Sequence, residues 1–251
     1  TAIAMLGAAL ASLAALARHR WLLRPARPDR TELLKHWRAI LRIGFPSMLT
    51  NVLTPVTSGV AVKLLSPLGP AVVAGFGVAT RLESVALIPC FALSGVIGIF
   101  MAQNLGARQA DRMAAAMGLA IRFCLAYGLL VALVLALCAS WIAAPMTEEA
   151  ETARTTTQYL RLVPLTYGFY GVLMIVAGGF NGCGEPRANL VLYTVRSLLL
   201  YVPAVMTGAA LGGFKGVCLG IGGSNLAGGL AAWFWCRAHL PHILPASVRP
   251  D

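Results

Sequence analysis

FMAQNLGARQADR, residues 100–112, ends a long apolar run with an asparagine, a glycine and two arginines. Gly106 is a residue type that caps helix C-termini, and Asp111 is one that begins helices. An apolar helix that stops at such a polar turn is typical of a segment that leaves a membrane. The stretch therefore predicts a helix that ends at a membrane surface, with another helix starting directly after it.

The composition is that of a membrane protein. The 251 residues are 58% hydrophobic and 12% charged, with a mean hydropathy of +0.76, far from the balance of a soluble domain. The net charge of +11 comes mainly from short segments between apolar runs, which favours contact with lipid headgroups over a DNA-binding face. The six cysteines have no C-x-x-C spacing, so we expect small core residues and neither metal ligands nor disulfides.

Seven apolar segments follow one another along the chain. The first, residues 2–17, is short for a membrane span, so we expect the end of a helix that begins upstream. A basic, proline-broken stretch follows at 18–39, in which Asp29 and Thr31 are candidate helix caps. Six runs of membrane-spanning length come next: 40–65, 70–104, 114–142, 155–180, 188–211 and 214–237.

The charges of the loops predict the orientation in the membrane. Alternate connections are basic: 18–42, the GARQADR turn, the GEPR turn and the tail 239–251. The opposite side carries LSPLGP, the acidic MTEEAETAR and LGGFKG. Because positively charged loops remain in the cytoplasm, we expect a multi-pass protein of the cell inner (plasma) membrane with a cytoplasmic C-terminus.

The run 40–65 combines prolines with a polar face. Pro55 cannot donate a hydrogen bond, which leaves the carbonyl of Asn51 without its helical partner. Such a face fits either a wall of a cavity or hydrogen-bonded packing between helices. The polar side chains recur at spacings of three and four: Thr50, Asn51, Thr54, Thr57 and Ser58.

The run 70–104 carries Arg81, Glu83 and Pro89 within its apolar sequence. Arg81 and Glu83 point about 200° apart around a helix axis, so they cannot pair with each other. Glu83 is therefore either a site for a coupling ion or the partner of an arginine on another helix. The candidate arginines are Arg122, Arg161 and Arg196.

Two further patterns concern the later runs. Tyr167, Tyr170 and Met174 share one helix face, which suits flat cationic ligands but also ordinary core packing. In the last run, small residues recur every fourth position, a spacing that predicts close contact between helices. These are Gly216, Gly220, Ser224 and Gly228.

Five motifs together resemble the C-terminal half of the multidrug and toxic compound extrusion (MATE) transporters, most closely the DinF-like branch: IGFPSML, GFGVATRLESVALIP, AQNLGARQADR, YLRLVPLTYGFYG and GGFNGCGEPR. The resemblance implies an all-α polytopic membrane protein with twelve helices in two six-helix lobes. On that pattern residues 1–17 end helix six, 18–39 form the cytoplasmic loop between the lobes, and 40–238 form the C-terminal six-helix lobe.

The resemblance also limits what can be carried over about ion coupling. In the NorM-like branch, acidic residues on helices seven and ten help bind the coupling cation, but the run 40–65 has no acid and 155–180 has none within it. In the DinF-like branch the coupling acid lies on helix one, outside these residues. We therefore expect proton or sodium coupling, no other cofactor, and coupling chemistry largely outside this chain.

The expected function is secondary active export of lipophilic or cationic compounds by alternating access. A flippase of lipid-linked oligosaccharides is the alternative, and a membrane-embedded enzyme is disfavoured because no His, Cys or acid cluster meets within the runs. The expected partners are membrane lipids, small substrates and an N-terminal six-helix lobe, without nucleic acid or metal. The candidate cleft residues are Asn51, Thr54, Arg81, Glu83, Tyr167, Tyr170, Met174 and Arg196.

Overall fold

A computed structural model describes residues 2–18 and 29–243, and these ranges are helical with short turns and contain no β-strand. The chain divides into two compact units, residues 1–42 and 43–251. Much of the predicted basic loop, residues 19–28, and the end of the predicted tail, residues 244–251, lie outside the described residues. The all-α class predicted from the sequence is confirmed.

The first two helices differ from the predicted boundaries. Helix α1 (Ala2–Arg18) contains the first apolar segment. Helix α2 (Arg30–Leu65) begins ten residues before the predicted membrane run at 40, directly after Asp29, one of the two candidate caps. The reason is a cap at Asp29: its carbonyl accepts the Leu33 N–H at 2.9 Å, and its carboxylate accepts the Thr31 hydroxyl at 2.7 Å.

Five segments of the described chain are long and apolar enough to cross a membrane. The first contains most of α2, the next two contain one long helix each, the fourth contains two helices joined by a 3₁₀ turn, and the last is a 55-residue segment that starts at residue 186. The segments are Thr31–Leu68, Ile88–Gly106, Ala110–Met146, Ala150–Gly182 and Pro186–Leu240.

The final segment is two antiparallel helices. Helix α8 (Pro186–Thr194) leads through a π-helical stretch, Val195–Tyr201, into α9 (Val202–Ile243). Within α9 the backbone turns back at Gly212–Gly213, where φ is −141° and then 53°. A Cβ on Gly216 would collide with the carbonyl oxygen of Gly208 across the turn. The small-residue stripe is therefore confirmed as a close helix contact.

Two broken helices run side by side. Helices α3 (Pro70–Ala86) and α4 (Ile88–Gly106) meet at Leu87, because Pro89 lacks the N–H that a continuous helix needs. Helices α6 (Ala150–Leu162) and α7 (Tyr167–Gly182) are separated by the 3₁₀ turn Val163–Thr166, which contains Pro164.

Hydrogen bonds show that the two broken helices are parallel. The Thr152 hydroxyl of α6 donates to the Ala71 carbonyl of α3 at 3.1 Å. Further along both broken helices, the Ser94 hydroxyl of α4 donates to the Met174 carbonyl of α7 at 2.7 Å. The C-terminal ends of α4 and α7 therefore lie on the same side of the molecule, as the alternation of loops predicts.

Helix α7 is the centre of the core. Every residue from 170 to 177 is buried, and α5 (Ala110–Ala143) packs antiparallel against this helix. The approach is close because both helices have glycine at the contact: a Cβ on Gly128 would collide with the backbone of Gly168. Four of the six cysteines are buried as expected, but Cys138 on α5 is exposed and that prediction is wrong.

The turn after α4 is not capped by Gly106. The helix includes Gly106, and the left-handed position is taken by Arg108, with φ of 56°. The Arg108 N–H donates to the Leu105 carbonyl at 3.1 Å, and the Gln109 N–H donates to the Asn104 carbonyl at 2.9 Å. This pair of bonds is a Schellman motif, which satisfies carbonyls at the helix end.

The turn after α7 repeats the motif with glycine in place of arginine. Gly184 has φ of 81°, and its N–H donates to the Asn181 carbonyl at 3.1 Å. The Glu185 N–H donates to the Phe180 carbonyl at 2.9 Å. The GARQ and GEPR turns, which the sequence places on one side, thus share a backbone design.

Candidate functional site

A polar cluster forms where three irregular backbone segments meet. Glu83 lies one turn before the break between α3 and α4, and Tyr159 and Tyr167 flank the 3₁₀ turn between α6 and α7. Arg196 lies on the π-helical stretch. Broken helices and π-bulges are the places where transporters and other proteins build polar sites within apolar helices.

The Glu83 carboxylate is held by two tyrosine hydroxyls. The hydroxyls of Tyr159 and Tyr167 both donate to the same oxygen, Oε2, the second at 3.3 Å. Each tyrosine side chain is 1% exposed, whereas Glu83 is partly exposed. One oxygen of the carboxylate is therefore fixed by two hydroxyl donors from the neighbouring broken helix.

This arrangement differs from the arginine pair considered for Glu83. Arg161 is exposed and donates to the Ser140 hydroxyl at 3.3 Å. Arg122 lies on α5 and lines a groove with residues of α7 and α9. Arg196 interacts electrostatically with Glu83, but its hydrogen bond and its ring contacts are with other residues.

Arg196 is buried, with 6% of its surface exposed. Its Nη2 donates to Asn225 Oδ1 at 2.6 Å, and its guanidinium carbon lies 4.5 Å from the ring centre of Tyr170 and 5.2 Å from that of Tyr201. Stacking on two aromatic faces and a charge-assisted hydrogen bond offset part of the cost of burying this cation. The Nε atom is buried without a hydrogen-bond partner in the described part of the chain.

Asn225 connects Arg196 to the broken helix. Its Nδ2 donates to the Thr166 hydroxyl at 3.3 Å, and that hydroxyl donates to the Val163 carbonyl at 2.8 Å, inside the 3₁₀ turn. Arg196, Asn225 and Thr166 therefore form a hydrogen-bonded chain that ends in the turn before Tyr167.

The structure brings together half of the predicted cleft residues. Glu83, Tyr167, Tyr170 and Arg196 belong to this cluster. Met174 is 1% exposed and packs in the core beside it, as the packing alternative expects.

The remaining predicted residues have other environments. Asn51 is exposed and its Nδ2 donates to the Ser47 carbonyl of its own helix at 3.0 Å. Thr54 and Arg81 are exposed as well. The polar face of α2 is split, since Thr57 is 3% exposed and packs inward while Asn51 and Thr54 face outward.

Sequence reasoning missed Tyr159, Tyr201 and Asn225. Tyr159 precedes Tyr167 by eight residues, a spacing that keeps both near one face, and Asn225 is an amide within an apolar helix. Amide side chains are rare within membrane-spanning helices, so this position alone was a signal that could have identified Asn225 as a candidate. Nothing in the sequence shows that these residues meet Glu83 and Arg196.

Chemically, the cluster can hold one negative and one positive charge and can exchange a proton or a small cation. Carboxylate and hydroxyl oxygens are ligands that suit hard cations, but the described residues contain no group of three or more His, Cys, Asp and Glu that could hold a metal. The cluster fits transient occupancy better than a resident metal.

A cavity of about 430 Å³ lies next to the cluster between α4, α7 and α8. Ser94, Asn181, Asn189 and Tyr193 give it a polar lining, and Met174 lies at its wall. Asn189 Oδ1 is buried without a hydrogen-bond partner in the described residues. The cavity therefore offers unsatisfied polar groups next to the broken helices.

Comparisons with known proteins agree with this architecture. The MatE family model matches residues 46–206. The chain is 33% identical over 217 residues to a FAD transporter of Shewanella oneidensis, covering 86% of this chain and 48% of the relative. It is 26% identical over 200 residues to a probable multidrug resistance protein of Bacillus subtilis, YpnP, covering 79% of this chain and 44% of the relative.

Solved structures show the same fold. The bent form of the Vibrio cholerae MATE transporter VcmN superposes with a TM-score of 0.84 at 27% identity, over 92% of this chain and 52% of that chain. The chain thus spans about half the length of the relatives it matches. With a family match over most of its length and the fold of solved members, the chain belongs to the MATE family of transporters.

Proposed function

We propose that a transporter built with this chain exports small organic compounds from the cell, driven by a proton or sodium gradient, through alternating access. The Glu83 cluster carries the proposal, because a carboxylate held by two tyrosine hydroxyls lies where two broken helices and a π-helical stretch meet. The relatives are about twice as long as the chain, so we further propose that it works with a second lobe of similar size.

The proposed coupling step changes the hydrogen bonds at Glu83. While the carboxylate is charged, Oε2 accepts from both Tyr159 and Tyr167, which ties α3 to both sides of the 3₁₀ turn. When a proton or cation occupies the carboxylate, Oε2 becomes a weaker acceptor and the tie to Tyr167 loosens. The helix breaks can then change angle, which alters access to the adjacent cavity.

The relatives support two candidate classes of substrate. Lipophilic or cationic compounds are supported by the likeness to the multidrug resistance protein of Bacillus subtilis. A flavin dinucleotide is the second candidate, because the relative with 33% identity is named a FAD transporter, and a guanidinium between tyrosine rings suits an aromatic molecule that bears phosphate.

A lipid-linked oligosaccharide flippase is less well supported. Such a protein would be expected to have a cleft that is basic along its length. Among the described residues with assigned burial, Arg196 is the one buried side chain that carries a charge.

The test is transport by the full-length protein in everted membrane vesicles from a host that lacks its own efflux pumps. Uptake of a cationic dye and of FAD is measured under a proton gradient, under a sodium gradient and with each gradient collapsed. Gradient-dependent uptake of either compound supports the proposal and identifies its substrate class and ion. Uptake of neither compound, or uptake that is indifferent to both gradients, contradicts it.

A further inference from the structure

A groove with two arginines lies on the opposite side of α7 from the cavity. It measures about 570 Å³ and runs between α5, α7 and α9. Its walls are mainly apolar, its rim carries Arg122 and Arg237, and no acidic side chain lines it. The lining residues that matter here are Arg122, Leu125, Val172, Leu230, Trp233 and Arg237.

Both arginines lie at one membrane interface. The 21 residues between Lys215 and Arg237, positions 216–236, carry no charge and span roughly 31 Å as a helix. The 24 residues after Arg122, positions 123–146, are uncharged as well and span roughly 36 Å. Since a hydrocarbon core is about 30 Å thick, each arginine lies at its edge, on the side where α5 begins and α9 ends.

The groove lies beside apolar side chains that are exposed among the described residues. Neighbouring side chains on α5 and α9 are highly exposed, including Leu119 at 69%, Leu129 at 71% and Phe234 at 61%. Trp233 lies at the same level, and the Arg237 guanidinium carbon is 4.9 Å from its ring centre. Tryptophan at the edge of the hydrocarbon and stacked arginine together indicate an interfacial site.

The chemistry of the groove specifies its occupant. Arg122 and Arg237 are exposed and no carboxylate lines the groove with them, which favours a negative partner, and arginine is suited to bidentate contact with phosphate. The apolar walls beneath the arginines require hydrocarbon, which a soluble anion does not supply. An occupant with phosphate at the interface and acyl chains toward the membrane centre satisfies both requirements.

We infer that this groove binds an anionic glycerophospholipid, with its phosphate between Arg122 and Arg237 and an acyl chain along Leu125, Val172 and Leu230. The bound lipid neutralises the two arginines and fills the space between α5 and α9. Because α7 forms the floor of the groove and carries Tyr167 and Tyr170 further along, the lipid supports the helix that holds the polar cluster.

The first experiment measures lipid retention by the purified full-length protein. Native mass spectrometry after incubation with phosphatidylglycerol or phosphatidylcholine is compared for wild type, Arg122→Gln/Arg237→Gln and the control Arg154→Gln/Arg187→Gln, whose arginines are exposed outside the groove. We expect wild type and the control to retain phosphatidylglycerol and the groove variant to lose it about tenfold. Equal retention by the groove variant, or equal retention of phosphatidylcholine, overturns the inference.

A second experiment leaves the arginines intact, in case their replacement prevents folding. Tryptophan fluorescence of the wild type is measured in vesicles containing acyl-brominated phosphatidylglycerol or acyl-brominated phosphatidylcholine, and Trp233→Phe assigns the signal of Trp233. Stronger quenching of Trp233 by the anionic lipid at low mole fraction supports the site. Equal quenching by both lipids refutes it.

Discussion

In the described residues, Glu83 is held by tyrosine hydroxyl groups and not by a direct ion pair. This difference affects how readily the carboxylate can gain or lose a proton or cation. A buried carboxylate in contact with a guanidinium is stabilised in its charged form, and taking up a proton would leave the cation unpaired at a cost of about 3–5 kcal/mol. Tyrosine hydroxyls are neutral and can rotate, so the carboxylate of Glu83 can change its charge without breaking a direct ion pair, while Arg196 keeps its hydrogen bond to Asn225.

The change Glu83→Gln tests this interpretation. Glutamine keeps an acceptor oxygen for Tyr159 and Tyr167 but cannot ionise, so we expect ion-driven efflux to be lost. The unfolding free energy should fall by about 1–3 kcal/mol, the cost of weakening a charge-assisted hydrogen bond. Thermal unfolding and efflux are measured on the same full-length preparation, with the exposed Glu151→Gln as control. Efflux at the wild-type level and ion dependence would show that Glu83 has no part in coupling.

The change Tyr159→Phe removes one of the two donors to Glu83. We expect destabilisation of about 1.5–3 kcal/mol, because the acceptor is a carboxylate. Tyr127→Phe is the matched control, since its hydroxyl donates to the neutral Ala86 carbonyl at 2.8 Å and its loss should cost about 0.5–1.5 kcal/mol. Chemical denaturation in detergent compares the two. Equal losses would mean that Glu83 is not charged in the resting protein.

Helices α4 and α7 end in the same Schellman motif, with Arg108 and Gly184 in the left-handed position. Glycine adopts this backbone conformation without strain, whereas arginine does not. Left-handed backbone costs an ordinary side chain roughly 1 kcal/mol relative to glycine. We therefore expect Arg108→Gly to raise the unfolding free energy by about 0.5–1 kcal/mol and Gly184→Ala to lower it by about 1 kcal/mol. Ala107→Gly, at φ of −82°, is the control and should give no gain. A loss of stability in Arg108→Gly would mean that its side chain, not its backbone, determines the turn.

The loop charges predict the sidedness of the whole molecule. Single cysteines at Arg108 and Arg187 should react with a membrane-impermeant reagent only after the membrane is opened, in a background without native cysteines. Cysteines at Glu149 and Lys215 should react in intact cells, because they lie in the less basic connections. The parallel course of α4 and α7 requires the first pair to behave alike. Labelling of that pair from outside would reverse the orientation.

Because the relatives are about twice as long as this chain, we expect that residues 1–251 do not transport by themselves. The solved MATE transporter covers about twice its length, and alternating access depends on movement between two halves around a shared site. We expect residues 1–251, expressed alone, to insert into the membrane without transporting dye or FAD. Protease protection and vesicle uptake are measured together. Efflux by this segment alone, in cells that supply no second lobe, would contradict the proposal.

The sequence by itself determined the class of protein, the runs that become membrane helices, the polar turns between them and the glycine contact near the C-terminus. These features depend on hydrophobicity and spacing over some twenty residues, which local sequence carries. The candidate caps Asp29 and Thr31 indicated where α2 starts, but the basic, proline-broken sequence around them did not show that the helix continues without a break into the membrane run.

Only the tertiary structure decided which side chains meet. The hydroxyls that hold Glu83 come from residues 76 and 84 positions away, and Arg196 reaches Asn225 across 29 positions. Helical periodicity tells which face a residue occupies, but it does not tell which neighbouring helix covers that face or at what height. Those are set by glycine contacts and helix breaks acting together, so the pair of tyrosines that holds Glu83 was in neither of the alternatives considered for it, a coupling-ion site or an arginine partner.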